Sequence, residues 1–452
     1  MRVSTYNTPG SLAGLGRIEI TDAEPAYAEA IRDAISANGG TASIVSAPQR
    51  SGLCVFTEGL SGSLPAERHY AALQAILTSG GHAQAVMLDR ASAERWIDVG
   101  GLSGLCRSLR IERPAAHLTS LSLATRGDIH EDATRIVRSL NLSDSDFTLG
   151  VDGVYRDVPG GDIAPPSFSE TPPASPVWLV TGGGRGVTAD CTIEVARRSG
   201  GTFILLGRSD LVQWPEWLEA ETDLKVLRGA LARNKDRPDT PKTPVEIDRF
   251  ARKLLAGAEI ASTLAAIDAA GAKGLYVQAD IGNPAGLRTI LQELVEEEGA
   301  ITGLIHGAGV LADGLVDRLD LKSFETVFAP KVMGLETILT CLDLQNLNHI
   351  GLFSSASAVF GNEGQANYAA ANAWLNNVAE NLAASLPATQ VKSFCWGPWH
   401  GGMVDDALAR MFAERGIGLI SRNEGARIFA DQLLNSPHDQ VRFVVGDEWG
   451  DS

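Results

Sequence analysis

The sequence predicts an α/β protein: a Rossmann-like, doubly wound parallel sheet joined to a truncated Rossmann-like sheet. Three observations carry that prediction. Short apolar runs alternate with amphipathic helical stretches through most of the chain, the pattern of βαβ units. One run, residues 177–180, breaks directly into Thr181-Gly-Gly-Gly-Arg-Gly-Val-Thr188 and then a helix. That order presents backbone N–H groups and a helix N-terminus to an anion. A Pro/Gly/Ser/Thr-rich stretch, residues 157–176, separates two such series and suits an extended connector. The expected organisation is 1–156, a linker over 157–176, and 177–452.

In the first series, strands are expected at 17–20, 42–46, 53–56, 84–88 and 118–123. Helices are expected at 24–37, with Thr21 and Asp22 as capping candidates, and at 66–78, 102–111 and 131–140. No strand here runs into a glycine-rich turn; Gly39-Gly40 and Gly80-Gly81 follow helices, as C-terminal caps do. Residues 1–150 therefore read as a sheet without a nucleotide site. The second series has strands at 177–180, 203–206, 275–279, 304–306, 350–353 and 392–395. Between the second and third lies 211–270, longer than a βα unit needs, with an insertion over about 211–262 and a long amphipathic helix from about Val245.

Composition narrows the partners. The 452 residues carry 55 Asp+Glu against 38 Lys+Arg, a net charge of −17. That balance argues against nucleic acid or an anionic membrane surface as principal partner. Five cysteines at irregular spacing, with no CxxC pair, fit free thiols in a reducing compartment and no metal site. No apolar run reaches membrane-spanning length, so a cytoplasmic protein is expected.

The chemistry gathers at one strand end. The apolar run ending at Phe353 opens into Ser354 and Ser355, and an Ala-rich helix resumes near Gln365. Tyr368 falls in its first turn, and Asn372, four residues on, shares its face. A hydroxyl, a phenol and an amide at a strand mouth make a proton-transfer corner. Gly182 and Gly186 set a TGxxxG spacing, with Gly183 and Gly184 easing close approach. Arg208 follows the second strand; a guanidinium there suits a ribose 2′-phosphate, whereas an acid would favour free hydroxyls. The plainer alternative is a solvated arginine. Asp280 closes the third strand, either to accept from an adenine amino group or to cap the next helix. His306-Gly307-Ala308-Gly309 closes the fourth, with small residues leaving room for a cofactor and His306 reading as structural.

These residues resemble the short-chain dehydrogenase/reductases, and within them the ketoreductase domains of polyketide and polyunsaturated-fatty-acid synthases. The matching elements are Val-Thr-Gly-Gly, Leu-Gly-Arg-Ser, His-Gly-Ala-Gly-Val310, Pro330-Lys331-Val-Met-Gly334, Phe-Ser-Ser-Ala, Gly-Gln-Ala-Asn-Tyr-Ala-Ala-Ala-Asn and Trp396-Gly-Pro-Trp399. The first half resembles the family's cofactor-free structural subdomain, most plainly at Gly-Leu-Cys-Arg-Ser-Leu-Arg-Ile-Glu-Arg-Pro114.

The resemblance implies Tyr368 as general acid, Ser355 as hydrogen-bond donor to the ketone oxygen, and Lys331 as the cation that lowers the phenol pKa. It makes Asn372 the holder of a relay water. The wider superfamily has Lys where Asn372 stands, and these ketoreductases exchange the two. NADPH is the implied cofactor, met by Gly182, Gly183, Gly184, Arg185, Gly186, Val187, Arg208, Ser209, Asp280, Ile281, Gly307, Ala308, Gly309, Lys331, Tyr368 and Pro398. Asp313 (in Leu311-Ala312-Asp313) and Phe360 imply a B-type, D-hydroxyl product; Trp399 and Met403 either flank the substrate groove, under a lid over 404–418, or pack in the core. Thr188 departs from the family by replacing the third glycine of the cofactor loop. The implied substrate is a 3-oxoacyl chain on an acyl carrier protein, the implied setting a larger synthase with neighbouring domains. A reductase of small free carbonyl compounds would not need the first half; a non-reducing scaffold module would not need Tyr368 and Ser355.

Overall fold

The computed structural model describes residues 2–4, 12–48, 52–79, 84–124, 128–142, 145–157, 175–401, 410, 412–414 and 416–446. They hold two sheets. The first comprises β1 (Arg2–Ser4), β2 (Arg17–Thr21), β3 (Thr41–Val45), β4 (Leu53–Phe56), β5 (Gln84–Arg90), β6 (Leu118–Leu123), β7 (Asp146–Leu149) and β8 (Val154–Tyr155), in the order β1-β8-β7-β6-β5-β4-β2-β3. Strands β2 to β7 pair in parallel, while β8 and β1 return antiparallel at one edge. Helices α1 (Pro25–Ala37), α2 (Pro65–Thr78), α3 (Leu102–Glu112) and α4 (Ile129–Ser139) make the crossovers. The expected capping of α1 is corrected: Pro25 opens the helix with no side-chain cap. Thr21 instead ends β2, donating to Glu58 Oε2 at 3.0 Å, while Thr57 Oγ1 accepts from the backbone of Glu24.

The second sheet comprises β9 (Val177–Thr181), β10 (Thr202–Gly207), β11 (Lys273–Gln278), β12 (Gly303–His306), β13 (His349–Ser355), β14 (Gln390–Trp396) and β15 (Arg442–Val445). Its order, β11-β10-β9-β12-β13-β14-β15, is parallel throughout. The order reverses between β9 and β12, the crevice where such sheets bind ligands. Its helices are α5 (Gly186–Ser199), α6 (Leu224–Arg233), α7 (Pro244–Ala269), α8 (Pro284–Glu298), α9 (Leu321–Phe328), α10 (Gly334–Cys341), α11 (Ser357–Phe360), α12 (Ala366–Ser385) and α13 (Arg422–Asn435).

The long stretch after β10 is a helical hairpin with a core of its own. Leu227 and Leu231 of α6 pack with Ile247, Ala251 and Leu254 of α7, and Leu218 closes the cluster. Thr243 and Glu246 form a capping box with Pro244 at the first position of α7, the arrangement that satisfies the free N–H groups of a helix start.

The two sheets share one apolar core, in which Leu102, Leu105 and Leu109 of α3 join Trp374 and Leu375 of α12. The approach is backbone to backbone. A Cβ at Gly101 or Gly104 would overlap the carbonyl oxygen of Ala370 or Ala369 respectively. Asn377 and Trp374 seal the contact, donating to Gly100 O at 3.0 Å and Trp96 O at 3.2 Å. The helix that carries Tyr368 is thus held from behind by the first sheet. Gly104→Val is expected to destabilise the protein by about 2 kcal/mol or more through overpacking, read as a lowered Tm; an unchanged Tm would show that α3 yields without cost.

Candidate active site

The cation of the site is placed by a local irregularity. Residues 321–341 run as one helical path, but Pro330 has no N–H to give to the preceding turn. The helix widens there into a π-turn over Ala329–Met333, a device common at functional positions. Lys331 sits on it, 2 % exposed, and its Nζ donates to Phe353 O at 2.8 Å. The same Nζ lies 5.4 Å from the centre of the Tyr368 ring. His306 holds the backbone of the turn. A carbonyl only accepts, so His306 Nε2 carries its proton toward Lys331 O at 3.0 Å, and Nδ1 accepts from Thr181 Oγ1 at 2.9 Å. Burial and the nearby Lys331 lower this imidazole to about 3, so it stays neutral and structural, as its sequence context suggests.

Strand β13 and helix α12 bring the other groups together. Ser354 Oγ donates to Asn372 O at 3.1 Å, locking the strand end to the helix. Ser355 Oγ accepts from the backbone N–H and the hydroxyl of Ser357, at 3.2 and 2.9 Å. Those bonds occupy its lone pairs and leave its own proton to be donated outward. Asn367 starts α12, accepting from Tyr368 N at 2.8 Å while its amide donates to Ala312 O at 2.9 Å. Asn372 Nδ2 donates to Tyr368 O at 2.9 Å, and its Oδ1 is buried without a protein partner among the described residues. An orphaned acceptor in that position suits an ordered water.

The electrostatics correct one expectation. In the protein alone the Tyr368 phenol is raised, not lowered: burial dominates, opposed by the Asn372 side chain and reinforced by Asp313. Burial also lowers Lys331 to about 7, so near neutral pH its ammonium is only part of the population. A raised phenol keeps its proton, which is the state a general acid needs.

At the switch point the chain is shaped for a dinucleotide. Gly182 has φ +72°, and a Cβ there would lie 2.9 Å from the backbone of Gly307 and Ala308. Helix α5 opens at Gly186 with no side-chain cap from Arg185, leaving first-turn N–H groups for an anion. Gly309 faces Lys331, whose Cε would stand 3.1 Å from an added Cβ. Arg208 is exposed just past β10, with no side-chain partner among the described residues. These features fit a pyrophosphate-bearing nicotinamide cofactor.

The KR domain family model matches residues 176–401 of the chain. The chain belongs to that family. A curated relative, one of the polyunsaturated fatty acid synthase subunits of Thraustochytrium, is 33% identical over 355 residues, 76% of this chain and 13% of that protein. A phenolphthiocerol/phthiocerol polyketide synthase subunit of Mycobacterium tuberculosis is 32% identical over 168 residues, 37% of this chain and 7% of that protein. This KR domain therefore spans a small part of the relatives it matches. A solved A1-type ketoreductase superposes with a TM-score of 0.69 over 98% of this chain and 91% of that one, at 22% identity, which shows a shared fold.

Other expected site residues of the KR domain fall as follows. Thr188 is accommodated because its neighbour is glycine: a Cβ on Gly307 would overlap the Thr188 side chain. Gly183 and Gly184 face inward: packing demands Gly183, where a Cβ would lie 2.3 Å from Val180, and makes a tight contact with Ile260 at Gly184. Arg185 is exposed and lies 3.8 Å from Glu259, and Val187 packs beside the apolar cluster of α5. Ser209 offers its carbonyl to Tyr276 OH at 2.8 Å. Asp280 caps no helix; it accepts from Gly282 N at 3.0 Å, and Asn283 caps α8. Ile281 is buried in the core, so only its backbone is available to a ligand. Pro398 is buried and its carbonyl accepts from Ile420 N at 2.8 Å. Asp313 is exposed and accepts from Gln365 Nε2 at 2.9 Å; Phe360 ends α11, half-buried. Of the two roles open to Trp399, groove wall or core residue, the structure shows the core one: it is 6 % exposed and wedged between Trp396 and Gly425. Met403 and most of the expected lid (404–409, 411 and 415) lie outside the described residues.

One residue escaped the sequence reading. Glu112, at the end of α3, accepts from Gly364 N at 2.9 Å and Val316 N at 2.8 Å. It joins the loop after Asp313 to the loop before Tyr368, though it belongs to the other sheet. Its signal was a lone acid inside the recognisable 104–114 stretch.

Because kcat/KM reports the free enzyme, catalytic turnover that needs protonated Lys331 is expected to decline as pH rises through about 7. A flat kcat/KM profile from pH 6 to 9 would remove Lys331 from the proton chemistry.

Proposed function

We propose that this KR domain reduces the β-keto group of a 3-oxoacyl thioester, borne by an acyl carrier protein, to a 3-hydroxyacyl thioester with NADPH. The observation that supports the reading most is the convergence of Lys331, Ser355, Tyr368 and Asn372 at the mouth of β13, knit through Phe353 O and Ser354. NADPH, when bound, supplies the hydride that reaches the β-carbon.

The chain's own residues do the rest. The outward proton of Ser355 donates to the ketone oxygen and polarises it. As negative charge develops on that oxygen, the Tyr368 O–H bond breaks and its proton passes to the oxygen. The tyrosinate left behind is stabilised by the Lys331 ammonium, then reprotonated along the chain of groups that Asn372 Oδ1 begins. Gly182, Gly186 and the start of α5 would hold the pyrophosphate, and Arg208 the 2′-phosphate. Gln365 fixes Asp313 at the rim, and with Phe360 in place of a bulkier indole this favours the B-type, D-3-hydroxyl product. The carrier protein and neighbouring domains are proposed from the synthase setting of the relatives. We also propose the division 1–156, 157–176 and 177–452 as structural part, linker and catalytic part.

Mixing the protein with NADPH and a 3-oxoacyl thioester should oxidise the nicotinamide, and Tyr368→Phe should slow that by about 100-fold or more. Wild-type protein that oxidises no NADPH, or a Tyr368→Phe rate equal to wild type, would leave a structural module instead. Chiral separation of the product should show the D-3-hydroxyl; the L-product would overturn the role given to Asp313.

A further inference from the structure

The hairpin inserted after β10 touches the cofactor site at both of its phosphate-binding loops, and it does so through one helix. On the glycine loop, Thr263 of α7 donates to Gly184 O at 3.0 Å, and Ile260 packs on the Gly184 backbone. On the loop after β10, Gly257 lies against the backbone of 210–212, an added Cβ standing 3.5 Å from Val212 N. Four residues earlier on the same helix face, Lys253 Nζ pairs with Asp210 Oδ2 at 2.6 Å. The other oxygen of Asp210 accepts from Gln278 Nε2 at 2.5 Å, and the same amide reaches Arg208 O at 3.3 Å. Arg208 and Asp210 are therefore held on one short, tied loop.

Asp210 poses a problem for the site. An acid at the end of the second strand favours a free ribose hydroxyl and repels a 2′-phosphate. Here it stands two residues from the arginine expected to bind that phosphate. Lys253 is the cation that cancels it, and Lys253 exists at this place because α7 runs on past the sheet, supported by α6. We propose that α7 braces both phosphate-binding loops and that Lys253, by neutralising Asp210, sets the preference for a 2′-phosphorylated nicotinamide cofactor. Lys253 acts through Asp210 and is a positioning residue. The proposal rests on the reading of the site as one for NADPH.

The test is calorimetric binding of NADP+ and NAD+ to the whole chain, with no turnover required. Lys253→Met should lower the ratio of NADP+ to NAD+ affinity about fivefold or more, with a larger drop at low ionic strength, where exposed charges are less screened. Adding Asp210→Asn to Lys253→Met should restore the ratio, and Lys253→Arg should keep it. An unchanged ratio in Lys253→Met would overturn the proposal. So would equal loss of both cofactors, or a loss that Asp210→Asn does not repair, since either would mean that Lys253 only supports the loop. Wild-type protein that binds neither cofactor would overturn the functional reading itself, whereas wild-type binding with a Lys253-independent ratio would overturn only this inference.

Discussion

The site depends on burying one ammonium. Lys331 is out of water, and burial alone pulls it down to about 7, so holding it charged is costly. The fold meets that cost with a single strong acceptor, Phe353 O, and a helix widened at Pro330 so that Nζ can reach it. His306 fastens the π-turn to β12 through a neutral ring that cannot compete for the charge. Strand β13 accepts the lysine at Phe353, locks α12 at Ser354 and presents a hydroxyl at Ser355 within three successive residues. The proposed proton chemistry therefore rests on one strand end, supplied from both sides.

The second constraint is how closely two sheets can approach. Gly101 and Gly104 bring the backbone of α3 onto α12, and no side chain fits between them. The polar groups exposed by that approach are taken up by Asn377, Trp374 and Asn381, each donating to a carbonyl of the first half. Glu112 extends the same contact to the rim, bonding two backbone N–H groups on loops that flank the tyrosine. A sheet with no nucleotide turn of its own thus acts on the site through position, setting the helix and loops that carry the chemistry. The inserted hairpin makes a similar contact elsewhere, where α7 meets the glycine loop and the loop beyond β10.

Everything legible in the residues alone follows from local rules. Period and turn chemistry mark most of the strands and helices and the glycine loop, because each is written in neighbouring residues. The strand mouth and the helix face pick out Ser355, Tyr368 and Asn372, and the family resemblance adds Lys331. The short strands β1, β7 and β8 and the closing β15 carry too few residues to show a period. The rest came from packing between distant parts of the chain. Trp399 reads equally as groove wall or core until Trp396 and Gly425 enclose it. Thr188 reads as a departure until Gly307 is seen to make its room. Lys253 and Asp210, forty-three residues apart, and Glu112 and Gly364, 252 apart, carry no sign of their pairing. The direction of the Tyr368 shift was hidden for the same reason, since burial is set by all that packs around a group and not by the cation expected beside it. The corner at Ser355 and Tyr368 was written in the chain; how dry it is, and what holds it, is a matter of the fold.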